Sequence, residues 1–159
     1  MQFLNKKLFS YLTALLMAST VMAQQQLTPF VDWKKSNPNW DMGDTSQVGY
    51  VGSRCSALLL ATSAFFIENP GRPEDLLTGL KMAESSETFQ VVAERLAVSR
   101  RMSKEVLASR KEALLDIYLK KLKENRRLHN NMFHEPMLGD MTFCKQTEPL
   151  FNQLSKTLK

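Results

Sequence analysis

The stretch "RCSALLLATSAFFI", Arg54 to Ile67, decides how this chain is read. After the arginine come thirteen residues without a formal charge, and the first is Cys55. That is short of the ~20 apolar residues that cross a bilayer core. An apolar run of this length reads as a helix buried within protein. Ser56, Ala57, Ala61, Ser63 and Ala64 let neighbours approach closely, while Leu58, Leu59, Leu60, Phe65 and Phe66 fill space. Upstream, Asp44 with Gln47 three residues on fits a capping box. Downstream, Asn69-Pro70-Gly71 is a stop signal. The pattern predicts a helix from Thr45 to Glu68.

Working outward, the chain opens with "MQFLNKKLFSYLTALLMASTVMA". Lys6 and Lys7 precede an apolar stretch from Leu8 to Met22, and Val21-Met22-Ala23 places modest side chains before a cut. This is the pattern of a secretory signal peptide, residues 1–23, cleaved after Ala23. Removing it leaves 136 residues, and the loss of Lys6 and Lys7 lowers the formal charge from +5 to +3. The expected location is periplasmic or secreted. In such a compartment the two cysteines, Cys55 and Cys144, read as one disulfide with forced connectivity.

Residues 24–43, "QQQLTPFVDWKKSNPNWDMG", carry two prolines and no helical period, and are expected to form an irregular arm. Trp33 and Trp40 should pack it down on the body. Residues 44–159 are then one helical domain. Pro73-Glu74-Asp75 suits a helix start. From Leu80 to Arg127 there is no glycine or proline. One helix of ~40 residues would be ~60 Å long, so a break is expected near Ser85-Ser86 or near Arg100 to Ser103. Leu107, Leu114, Tyr118 and Leu122 form one apolar stripe; Val106, Ala113 and Ile117 form a second. Two stripes predict a helix sandwiched between neighbours. "NNMFHEPMLGD" reads as a loop. The tail, with Phe143, Leu150, Phe151, Leu154 and Leu158, reads as a last helix, bent or restarted at Pro149. The fold class expected is all-α: a disulfide-tied bundle of four or five helices after a cleaved signal peptide, with no transmembrane span in the mature chain.

Catalytic motifs are scarce. The chain has two histidines, His129 and His134, and no G-x-S-x-G elbow. "ESSETF", Glu84 to Phe89, resembles lytic transglycosylases in its Glu-Ser pair, but the Gly-Leu-Met-Gln stretch of that family does not follow. No Cys-x-x-Cys-His, His-Glu-x-x-His or Glu-x-x-His is present, so no cofactor is implied. One soft-ligand cluster remains: His129, Met132, His134, Met137 and Met141 would suit Cu(I).

Charge is the other lead. Residues 100–127 hold ten basic and four acidic side chains. Arg100, Arg101, Arg110, Lys111, Lys120, Lys121, Lys123, Arg126 and Arg127 could form a patch for an acidic partner, either an envelope protein or an anionic surface. Alternatively they make a solvated helix face with pairs such as Lys120–Glu124. No nucleic-acid motif is present. The expectation is a non-enzymatic exported protein that binds a macromolecular partner as an inhibitor, immunity-type protein or chaperone. The alternative is a carrier of a small ligand or Cu(I), using an interhelical cavity or the 129–141 loop.

Overall fold

Asp44 accepts from Ser46 N at 2.8 Å and from Gln47 N, and so caps the long helix that the sequence demands. The return bond of a full capping box is not made, because Gln47 Oε1 is buried without a hydrogen-bond partner. The computed structural model describes residues 27–40, 43–99 and 103–158. The expected signal peptide and the bases Arg100 and Arg101 lie outside the described residues.

Among the described residues five helices follow one another: α1 (Phe30–Ser36), α2 (Thr45–Glu68), α3 (Pro73–Ser99), α4 (Lys104–His129) and α5 (Met137–Thr157). Among the described residues there is no strand. The arm expected to be irregular therefore contains a seven-residue helix, α1, too short to show a period. Pro29 stands at its N-cap position, and Asp32 in its first turn pairs with Lys35. As expected, its tryptophans pack inward: Trp33 lies 5.4 Å from Tyr50 and 5.9 Å from Trp40 between ring centroids.

α2 is long and apolar enough to cross a membrane, yet 67% of its most apolar stretch is buried inside the protein. Helices α3, α4 and α5 all pack against it. Its small residues set the distance to α3. Ser86 Oγ donates to Ser56 O at 2.8 Å, and a Cβ at Gly52 would sit 2.9 Å from Phe151 Cε1 and 3.1 Å from Phe89 O. Leu58, Phe89, Val92, Leu122 and Phe151 fill the centre.

Of the two expected breaks, the second is used: α3 ends at Ser99, and Ser103 N-caps α4 by accepting from Val106 N. Ser85 and Ser86 instead lie within α3, where Ser85 bonds Glu148 of α5. The last helix begins at Met137, inside the stretch expected to be loop, and runs through Pro149 without restarting.

Candidate functional site

The two cysteines are joined as expected. Cys55 of α2 and Cys144 of α5 are bonded, with Cα atoms 5.4 Å apart. One residue before Cys55 and one turn before Cys144 lies a centre that the sequence reading passed over. Arg54 is fully buried, and its guanidinium meets Asp140 Oδ2 at 2.8 Å. Arg54 also donates to Tyr118 Oη at 3.2 Å, to Tyr50 Oη at 2.9 Å and to the Thr28 carbonyl at 2.7 Å. Asp140 accepts a further bond from Tyr118 at 3.1 Å and one from Phe30 N at 2.7 Å. The guanidinium carbon lies 4.0 Å from the centroid of the Phe30 ring. Burial is the largest influence on Tyr118 and pushes its phenol above the ordinary tyrosine range. Burial works against the Arg54 cation, but Tyr118 and Asp140 outweigh it and raise Arg54 overall. The centre is closed and saturated with bonds. Its effect is to fasten the chain before α1 to α2, α4 and α5. An arginine interrupting an apolar helix was the signal; the partner stands 86 residues away.

The helix divides the basic run between faces. α4 turns about 100° per residue, so Arg110 and Lys111 leave it in different directions, whereas Lys120, Lys123 and Arg127 fall on one exposed face. Lys111 is half-buried. Arg126 lies with its guanidinium carbon 4.9 Å from the Phe65 ring centroid. Lys120 pairs with Asp116 at 2.6 Å and Lys121 with Glu124 at 3.1 Å, in place of the expected Lys120–Glu124 pair. Lys120, Lys123 and Arg127 share the outer face with Glu112, Asp116 and Glu124. The three bases that align are therefore matched there by three acids.

The soft-ligand cluster is partly drawn together. His129 and His134 stack with centroids 3.6 Å apart and planes at 11°. Parallel stacked rings direct their nitrogen lone pairs side by side, so one ring must turn before both reach a single ion. Met137 is buried in the core, and Met132 and Met141 pack against it. Asn125 pins this loop, donating to the carbonyls of Met132 and His134 at 3.1 Å each.

What α4 does form is a wall. Its first stripe packs inward as expected: Tyr118 and Leu122 are buried, and Leu114 leans on the core. Its second stripe is not sandwiched. Val106 is 44% exposed, and Ala113 and Ile117 line an open groove instead. The groove runs between α2, α3 and α4 and encloses about 620 Å³, within the ~300–1,000 Å³ of small-molecule sites. Leu96, Leu107 and Leu114 join Ile117 in its apolar surface. Gly49, Ala93 and Ala97 make room; a Cβ placed at Gly49 would meet nothing within 4 Å. Thr45, Ser46, Ser53 and Tyr50 supply hydroxyls, and Arg110 supplies a positive charge. Leu27 and Thr28 form one edge, where the Arg54 bond to Thr28 O holds the backbone in place. A second hollow of about 590 Å³ lies between α1 and α5, lined by Val31, Lys34, Leu138 and Phe143 among others.

The described residues of the groove thus offer an apolar bed with hydroxyls and the Arg110 guanidinium, and the buried centre fixes its edge. Set against protein-family models, curated proteins and solved structures, the chain matches none of them.

Proposed function

We propose that this protein acts by binding, not by catalysis, and holds a small, largely apolar molecule in the groove between α2, α3 and α4. It would do so in the periplasm or outside the cell, after cleavage of the signal peptide behind Ala23. The observation that carries the reading is the second apolar stripe of α4. Ala113 and Ile117 face a groove where a neighbouring helix was expected. The disulfide between Cys55 and Cys144 is compatible with export. On α4 a macromolecular partner would meet Lys120, Lys123 and Arg127 interspersed with Glu112, Asp116 and Glu124, and this balance of charge is why the groove carries the proposal.

The test is a native mass spectrum of the protein recovered from cells, combined with titration of the neutral dye N-phenyl-1-naphthylamine. Bound extra mass and a saturable rise in dye fluorescence are expected. Gly49→Leu, which fills open space, should abolish both while leaving the fold intact. A protein that is empty on recovery, with dye fluorescence equal in both forms, would overturn the reading.

A further inference from the structure

We infer that His129 and His134 form a binding site for a borderline divalent metal ion, Cu(II) before Zn(II) or Ni(II). The site stands apart from the groove: His129 follows Ile117 by twelve residues along α4, a rise of about 18 Å. The fold brings the two imidazoles face to face, with centroids 3.6 Å apart and planes at 11°. Nitrogens bound side by side to one ion, at about 2.0–2.1 Å each, stand about 3 Å from one another. The rings therefore already have nearly the spacing of two ligands to one ion, and one ring has only to turn. Both residues are exposed, so the turn leaves the core untouched and an ion has a way in. Their backbones are held in place. His129 ends α4, and the buried Asn125 donates to the His134 carbonyl at 3.1 Å. His134 Nδ1 lies 3.2 Å from the Glu135 carbonyl oxygen. A carbonyl oxygen only accepts, so this contact puts the proton on Nδ1 and leaves the Nε2 lone pair for a metal. The last carbonyls of α4 lie at the same end, and a helix C-terminus favours a cation. Nearby bases are directed elsewhere: Arg126 is turned onto the Phe65 ring, and Arg127 leaves α4 about 200° round from His129. The donor set decides the metal. Met137 is buried in the core and Met132 and Met141 pack against it, so the thioethers that would favour Cu(I) are spent on packing. Two imidazoles, with water completing the sphere, suit a divalent ion, and Cu(II) holds such ligands more tightly than Ni(II) or Zn(II).

The experiment titrates Cu(II), Zn(II) and Ni(II) separately into the full mature chain by calorimetry, with pulsed electron paramagnetic resonance on the Cu(II) form. Cu(II) should bind most tightly of the three, with two imidazole nitrogens in its spectrum. His129→Ala and His134→Ala should each lower Cu(II) affinity at least about tenfold, since losing even an outer-shell partner of a metal ligand costs that much. Each should also leave one imidazole nitrogen in the spectrum, which a merely structural change would not do. No binding by the unaltered chain, or the same affinity when both histidines are replaced, would overturn the site. A loss in only one of the two single variants would overturn the sharing of one ion. Circular dichroism of each variant establishes that a loss is not unfolding.

Discussion

Arg54 Nη2 lies 2.8 Å from Asp140 Oδ2, and the residues next to this pair along their helices, Cys55 and Cys144, are themselves bonded. An ion pair and a disulfide therefore join α2 to α5 within one helical turn. The two ties act differently. The disulfide restricts the unfolded chain, whereas the ion pair acts in the folded one, where a charge without its partner is costly.

Removing one partner of the ion pair leaves a charge in an apolar core. Arg54→Met alone, or Asp140→Leu alone, should cost about 3–5 kcal/mol of stability. The double variant should cost less than the two single losses together, with a coupling of about 2 kcal/mol. Urea denaturation of the four proteins in the cycle measures this. Simple additivity would show that the pair is not coupled in the folded state.

The disulfide closes a loop with a sequence separation of 89. Cys55→Ser with Cys144→Ser should lower stability by about 4–5 kcal/mol if chain entropy alone acts. Unfolding midpoints with and without reductant give the same quantity for the unaltered chain. Equal midpoints would mean that the loop is already constrained without the bond.

Tyr118 makes an alkaline prediction. Its folded-state pKa is raised, chiefly by burial, so the folded protein keeps the proton that an unfolded tyrosine gives up near ~10. Its contribution is fully present below pH ~10 and is lost as the pH rises toward the higher folded value. Tyr118→Phe should flatten this limb of the stability curve. It should also cost about 1–3 kcal/mol at neutral pH, because Asp140 and Arg54 each lose a partner. An unchanged slope above pH ~10 would assign the limb to other groups.

Two glycines three residues apart on α2 should respond with opposite signs. Gly49→Ala places a methyl in open space and gains about 0.5–1 kcal/mol of helix stability. Gly52→Ala drives a methyl to within 3.1 Å of the Phe89 carbonyl and should cost about 1–3 kcal/mol. Thermal midpoints of the two variants decide it, and the same sign at both sites would contradict the packing.

The parts legible beforehand were those set by local chemistry. Asp44 and the Asn69-Pro70-Gly71 stop bound α2 because each acts within a turn of its own position. Between the two candidate breaks, Ser103 serves as a cap, whereas Ser86 is spent on the carbonyl of Ser56; only the fold separates the two uses of serine. α1 escaped notice because seven residues are too few for periodicity. The roles of Arg54 and Asp140 depend on a meeting across 86 residues, which no local pattern announces. The groove was hidden for a related reason. An apolar stripe declares that it will be covered, and Ala113 and Ile117 look the same in sequence whether a helix or a ligand covers them. In the basic run proximity along the chain is not proximity in space: Arg110 and Lys111 diverge round α4, whereas Lys120, Lys123 and Arg127 align through their three- and four-residue spacing.

The Arg54–Asp140 bond also imposes an order on events. The arginine sits early in the chain, and its carboxylate arrives with the final helix. A polypeptide that emerges amino end first must keep Arg54 in water until α5 is present, because the cation cannot be buried alone. The face of α2 that carries Arg54 therefore stays wet until then, even though Gly52 and Ser56 on the opposite face can already meet α3. A product that stopped short of Asp140 would remain open to proteases, so the molecule carries a check on its own length.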